Sequence, residues 1–435
     1  MHRIVIVGGG AGGLELATRL GNRLGARQTA QIVLVDRNPT HLWKPLLHEV
    51  AAGSMDPFMH QLEYAAQAHW HHFKFQLGAL SGLNRVAKTI TLAAVNDLDG
   101  SELLPSRELA YDTLVIAIGS TTHFFGVAGA QQYAQALDTA AQAQACHRRL
   151  LAACMRADAN PGSSDARPRI QIAIVGGGAT GVELSAQLRQ TAQILATYGL
   201  HPLDPKHDIG IVLIEAGPRI LPALSEHVSK ATAALLAKLN VEIMVNEQVA
   251  SVSDKALYTA SGKTLPVDLT VWAAGIKAPA ILSQLDGLAT NPRGQLKVHA
   301  TLQTETDPDI FAFGDCASCP WPEQNTTIPP RAQAAHQQAN FLRRALTRRL
   351  KGAPLPNFRY RDFGSLVSLG HFSAVGHLMG GVMGGSLFIE GLFARFMYMS
   401  LYRLHIAALH GFIRMATDTV AHWLRRSISP RVKLH

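Results

Sequence analysis

Cysteine is scarce: Cys146, Cys154, Cys316 and Cys319 are the whole supply in 435 residues. So few sulfurs cannot build a disulfide framework, and their spacing matches neither an iron–sulfur cluster nor a complete zinc site. They fit a reducing compartment. Acidic residues are outnumbered, 31 against 40 Lys and Arg. The resulting +9 suits an anionic cofactor, an anionic membrane surface or nucleic acid. Charged residues make up only 16% and hydrophobic residues 47%, which excludes general disorder and supports a large core in two or three domains. The opening MHRIVIVGGG has no apolar signal region or cleavage site, so secretion is not expected. The longest run without Asp, Glu, Lys or Arg, Phe363 to Ile389, exceeds the length of a spanning helix. It contains His371, His377, many glycines and β-type runs such as SLVSLG, so strands and turns are expected instead.

One internal repeat is present. IVIVGGGAGGLELATRL (Ile4–Leu20) returns 168 residues later as IAIVGGGATGVELSAQL (Ile172–Leu188). Each copy reads as strand, glycine turn and helix. In the first, strand Arg3–Val7, a helix from about Gly12 to Leu24 and strand Ile32–Asp36 are expected, followed later by a buried-type strand at Thr113–Ser120. A helix over Asp138–Arg156 leads to a polar linker at Asp158–Arg169. In the second copy, strand Ile170–Val175, a helix from Ala179, strand Ile209–Glu215 and a helix near Glu226–Leu239 are expected, then strands to Ile276. Strand Asp309–Asp315 and a helix over Ala332–Leu350 complete the pattern.

A G-x-G-x-x-G turn between strand and helix cradles a pyrophosphate. The first glycine makes the turn, the second lets phosphate reach the backbone, and the third lets helix pack on strand. The helix N-terminus adds N–H donors and positive dipole. Gly8, Gly10 and Gly13 fit, as do Gly176, Gly178 and Gly181. Each loop needs an acidic residue at the end of the next strand for ribose hydroxyls. Asp36 lies 28 residues after Gly8, and Glu215 lies 39 after Gly176. The longer interval is expected to extend the helix and loop without moving the strand end. Ala, Gly and Pro follow Glu215, with no immediate cation for a 2′-phosphate, so NADH is expected rather than NADPH. Glu15 and Glu183 share one position early in their helices, where the helix dipole also explains a carboxylate. Glu183 is read as functional, near the reactive end of the second nucleotide.

The two loops with FAFGDCA and WAAGI resemble the two-dinucleotide-binding flavoprotein superfamily. HLWKPLLHEVAAG, VGGGATGVELSAQL, EAGPRILPAL, WAAGIKAP, FAFGDCASCP, PPRAQAAHQQA and RLHIAALHGF resemble the bacterial type II NADH:quinone oxidoreductases along essentially the whole chain. The resemblance implies an α/β fold of two Rossmann-like domains, an FAD domain with an inserted NADH domain, and a C-terminal amphipathic membrane-binding region. The expected bounds are 1–160 and 286–365 for the FAD domain, 161–285 for the NADH domain and 366–435 for the C-terminal region. It implies tightly bound FAD at Gly8, Gly10, Gly13 and Asp36, near Lys44 and Pro45, at Asp315, and at Ala332 beside the flavin. Gln333 and His336 would line a quinone pocket, with His336 a candidate proton relay. The activity implied is transfer of two electrons from NADH through FAD to a membrane quinone, without proton pumping, on the cytoplasmic face of the bacterial inner membrane. A soluble NADH-dependent flavin reductase with another acceptor is the alternative; a non-enzymatic interaction flavoprotein is a third reading.

Cys316-x-x-Cys319 reads first as packing or a turn and second as thiol chemistry or soft-metal binding. No cysteine stands in HLWKPLLHEV, which argues against a glutathione-reductase-type dithiol. From Glu390 onward seven cations face two acids, a net +5. On one continuous helix Arg395, Arg403 and Arg414 would fall within about 100°, leaving a broad apolar face, the pattern of a helix lying in a lipid interface. Packing on the chain's own domain or in a homodimer is the other reading. Gly411 is a candidate interruption. Nucleic acid is not expected, because apolar residues flank the cations.

Overall fold

In a computed structural model of the chain, the described residues are 1–97, 99–159, 168–197, 204, 207–369, 374–379, 386–390, 392–426 and 432. In chain order, the first elements are β1 (His2–Val7), α1 (Ala11–Leu20), β2 (Ala30–Asp36), β3 (Thr40–His41), β4 (Leu62–Glu63), α2 (Tyr64–Trp70), β5 (Lys74–Leu77) and β6 (Thr113–Ile116). Next come β7 (Gln135–Ala136), α3 (Ala140–Ala159), β8 (Ile170–Val175), α4 (Ala179–Thr197), β9 (Ile209–Ile214), α5 (Glu226–Lys238), β10 (Val241–Met244) and β11 (Leu269–Trp272). The last are β12 (Ile310–Ala312), α6 (Ala332–Arg349), β13 (Gly364–Ser368), β14 (Ala374–Met379), β15 (Ser386–Glu390), α7 (Leu392–His410) and α8 (Phe412–Arg426).

Two compact units divide the chain. The first comprises Met1–Trp43, His60–Thr121 and Ile276–Asp362. Its five-stranded parallel sheet has the order β12-β6-β1-β2-β5. A parallel sheet is covered on both faces, so its strands are apolar throughout rather than alternating. Ile4, Val5, Ile6 and Val7 are all buried, as are Leu114, Val115 and Ile116 beside them. Each such side chain contributes about 1.5–3 kcal/mol by leaving water. The helix expected to reach Leu24 changes character at Gly21, where Gly21–Gly25 forms a π-type turn. The turn packs closely: a Cβ at Gly21 or Gly25 would stand 2.0 Å from the carbonyl oxygens of His71 and His72, so both positions require glycine.

The second unit comprises Lys44–Met59, Thr122–Gly275 and Phe363–His435. In its parallel sheet, β7-β11-β8-β9-β10, four strands (β11-β8-β9-β10) repeat the order β6-β1-β2-β5 of the first around the second copy of the sequence repeat, while the edge strand β7 precedes them in the chain and β12 follows its own four. Helix α3 starts at Ala140, two residues later than expected. Gln142 Oε1 accepts the N–H groups of Asp138 and Thr139, and Thr139 Oγ1 accepts the Gln142 N–H, a reciprocal cap that sets the first turn. Most of the linker expected at Asp158–Arg169 lies outside the described residues. Helix α4 runs to Thr197, so the insertion before Glu215 does lengthen the helix.

The uncharged run from Phe363 folds as the antiparallel sheet β13-β14-β15, as the glycine-rich sequence predicts; His371 lies outside the described residues. Among the described residues no helix is long and apolar enough to cross a membrane. The tail is not one helix. Gly411 has φ +82°, which ends α7 and starts α8. The common arc expected for Arg395, Arg403 and Arg414 therefore does not apply, because Arg414 belongs to a different helix. On α8, Ile413, Val420 and Leu424, spaced seven and four residues apart on one face, are exposed, Ile413 at 80%.

Candidate nucleotide-binding sites

In the first unit, buried β1 delivers the chain into Gly8, whose φ of +105° is open to glycine and strained for other residues. A Cβ there would lie 2.4 Å from the Ala117 carbonyl oxygen, and one at Gly13 would lie 1.8 Å from that of Gly8. Gly10, at the N-terminus of α1, differs: nothing stands within 4 Å of the place a Cβ would take. Such an open backbone surface, facing a helix N-terminus, fits a pyrophosphate. Asp36 closes the loop from the end of β2. Its Oδ2 accepts the Gly9 N–H at 2.6 Å, and its Oδ1 accepts the Asn38 N–H at 2.8 Å. The Gly9 carbonyl accepts from the Tyr64 hydroxyl (2.7 Å) and bonds His41 Nδ1 (2.9 Å). Burial pushes His41 down to about 4, so its ring is neutral at pH 7 and Nδ1 carries the donated proton.

Asp315 sits in a tight turn after β12 and accepts the Ser120 hydroxyl at 2.8 Å. Gln295 Nε2 donates to its carbonyl at 3.0 Å. Asp315 and Ser120 line a cavity of about 340 Å³ together with Lys277, Arg293, Gln295 and Trp321. A carboxylate with hydroxyl and amide partners beside such a cavity suits a polyol chain such as ribityl.

Ala332 opens α6. Gln333 Nε2 donates to Asp362 at 3.1 Å, and Arg331 pairs with the same carboxylate at 3.0 Å. His336, three residues on, bonds Glu15 instead, Nδ1 to Oε2 at 2.6 Å. The two expected quinone-pocket residues thus engage different carboxylates. Glu15 is wholly buried and also pairs with Arg19 at 2.7 Å. It lies beyond the first turn of α1, so the helix dipole does not account for it; its partners do.

In the second unit the cradle recurs. Gly176 has φ +109°, a Cβ at Gly181 would meet the Gly176 carbonyl oxygen at 2.0 Å, and Gly178 again has open space. Glu215 accepts the N–H groups of Gly177 and Gly217, each at 2.7 Å. The nearest following cation, Arg219, donates to the carbonyls of Leu221 and Pro222. Glu183 also lies beyond the first turn of its helix, and it is buried. Its Oε1 accepts the Ser368 N–H at 2.9 Å, and its Oε2 lies 3.6 Å from His48 Nδ1. That spacing would suit an ion pair, but burial pushes His48 down to about 4, so the neighbour is a neutral ring. Lys44 pairs with Asp138 at 3.1 Å, and Pro45 shares its short 3₁₀ turn.

Cys316 and Cys319 are separate buried thiols. Cys316 Sγ donates to the Phe313 carbonyl at 3.2 Å, and burial pushes both thiols up to about 12. Buried, protonated thiols of this kind suit packing. Sequence reasoning assigned no role to His41, His48, Tyr64, Ser120, Gln295 or Asp362. His41 and His48 stand inside the quoted HLWKPLLHEV string, and Ser120 inside the expected strand, which were the available signals.

The pyridine nucleotide-disulphide oxidoreductase family model matches residues 2–339. A type II NADH:quinone oxidoreductase of Haemophilus influenzae is 42% identical over the full length of both chains. A demethylphylloquinone reductase of Synechocystis is 31% identical over 86% of each. The structure of NDH2 from Plasmodium falciparum in complex with NADH superposes with a TM-score of 0.78 at 19% identity, covering 96% of this chain and 98% of that one, a likeness of fold. The chain belongs to the pyridine nucleotide-disulphide oxidoreductase family and, within it, to the type II NADH:quinone oxidoreductases.

Proposed function

We propose that the chain moves two electrons from NADH to a membrane quinone by way of FAD, as a peripheral enzyme on the cytoplasmic face of the inner membrane, without pumping protons. The observation that carries this reading is the duplicated cradle: two parallel sheets that share a four-strand core of the same order, each with one open glycine loop and one acidic strand end. The full-length relative at 42% identity supports the donor and acceptor classes. FAD is the bridging group because its ring accepts a hydride and gives back two electrons.

The residues have separate tasks. In domain terms, the first compact unit holds FAD and the second holds NADH; residues 44–59 and 122–160, expected with the FAD domain, belong to the second unit. Gly8, Gly10, Gly13 and Asp36 hold the FAD pyrophosphate and ribose, and Asp315, aligned by Ser120, takes the ribityl hydroxyls. Lys44, Pro45 and Ala332 complete the FAD surroundings. Gly176, Gly178, Gly181 and Glu215 hold NADH. Glu183, oriented by the Ser368 N–H, positions the nicotinamide. Gln333 and His336 orient the quinone, and His336, with Glu15 behind it, carries a proton. The 366–435 region meets the membrane.

The test separates the half-reactions anaerobically. NADH should bleach the flavin absorbance, and quinone should restore it. Glu183→Ala should slow bleaching by about 10- to 100-fold, the cost of a misplaced reactant, with reoxidation little changed. Gln333→Ala should slow only reoxidation. Equal damage to both phases in both variants would sink these assignments, and no bleaching in the wild type would sink the reading itself.

Cofactor choice gives a further expected outcome. Glu215 repels a 2′-phosphate, and Arg219 is occupied by carbonyls. Glu215→Ala should lower the preference for NADH over NADPH about tenfold, read as the ratio of kcat/KM values. An unchanged ratio would remove Glu215 from the discrimination.

A further inference from the structure

The two loops share a backbone path but differ in what holds the middle glycine. In the second, the described donor to the Gly177 carbonyl is the backbone N–H of Leu221, at 2.7 Å. In the first, the Gly9 carbonyl carries two side-chain partners, the Tyr64 hydroxyl and His41 Nδ1. These come from a small local assembly: β3 pairs with β4, His41 opposite Leu62, and Tyr64 opens α2 immediately afterwards. The Phe75 ring, 5.1 Å from that of Tyr64, backs it. A Cβ on Gly9 would lie 2.4 Å from the Tyr64 ring, so the close approach requires glycine.

We infer that His41 and Tyr64 are positioning residues that clamp the Gly9–Gly10 peptide, and that this clamp makes the first loop retain its nucleotide while the second exchanges. The inference rests on the reading that the first loop holds FAD. A trans peptide points its C=O and N–H in opposite directions. Two donors on the Gly9 oxygen fill both lone pairs and hold it inward, so the Gly10 N–H faces the open side of the loop. Donors on a carbonyl also polarise its amide and strengthen the opposite N–H as a donor. With the Gly9 N–H fixed by Asp36, the peptides on both sides of Gly9 are set before the nucleotide arrives. Preorganisation of this kind lowers the ordering cost of binding and appears chiefly as slower release.

The test loads the full-length protein with FAD, dilutes it, and follows the fluorescence of released flavin. NADH affinity is measured in parallel. Tyr64→Phe and His41→Leu should each speed FAD release roughly fivefold, and the double variant roughly 25-fold, with NADH affinity unchanged. His41→Asn places an amide nitrogen near the Nδ1 position and should restore release to within about twofold of wild type. Unchanged release from a folded double variant would overturn the clamp, as would equal weakening of FAD and NADH. Wild-type protein that takes up no FAD would instead overturn the underlying reading.

Discussion

Gly10→Ala is expected to leave the fold intact and abolish flavin retention, while Gly13→Ala, three residues away, is expected to damage both. The difference follows from where each methyl goes. At Gly10, φ is −61°, which alanine adopts freely, and nothing lies within 4 Å of the new atom. The thermal midpoint of the flavin-free protein should hold or rise slightly, since alanine restricts the unfolded chain. The methyl does occupy the surface the pyrophosphate must touch, so FAD affinity should fall by about 100-fold or more. At Gly13 the methyl would stand 1.8 Å from the Gly8 carbonyl oxygen. Helix α1 must then move off β1, a cost of about 1–3 kcal/mol or more. Denaturation of the flavin-free forms, set beside FAD titration, checks both. Similar stability losses in the two variants would show that Gly10 has a structural role this geometry does not contain.

Replacing Ile413, Val420 and Leu424 of α8 by serine should free the protein from lipid vesicles without unfolding it. All three side chains are exposed, so the fold gains little from them, and exposed substitutions rarely cost more than about 0.5 kcal/mol. Buried in a lipid interface, each would contribute about 1.5–3 kcal/mol. Partition onto anionic vesicles should therefore fall by at least about 100-fold, read by flotation. Reduction of a vesicle-dissolved quinone should fall with it, while a water-soluble quinone analogue should be reduced at the wild-type rate. Undiminished flotation would remove α8 from the membrane contact. A switch from dimer to monomer with flotation unchanged would assign the face to a second copy of the chain.

The chemistry visible in the sequence is the local kind. A glycine loop, the strand before it and the acid ending the next strand lie within some forty residues of one another, and all three requirements act through the backbone. Hence both cradles, Asp36, Glu215 and the parallel sheets were legible. The helix dipole, the local explanation for Glu15, gives way to one from far along the chain: its partner His336 is 321 positions away. Ser120 and Asp315, 195 positions apart, meet only because β6 and β12 are neighbours in one sheet. Tyr64 escaped notice for a similar reason. Nothing near it in sequence marks it as a partner of Gly9, and only the pairing of β3 with β4 brings it there. The tail was half legible: its apolar excess was plain, but a face computed for one helix fails once Gly411 turns the chain.

The four sulfurs have a consequence for durability. Each is buried, and burial pushes Cys146, Cys316 and Cys319 up to about 12 and Cys154 up to about 11. Oxidants and alkylating agents attack the thiolate, which at neutral pH is almost absent at such positions. Peroxide reaching these four positions would meet thiols rather than thiolates, so the chain offers such an oxidant no ready site of attack.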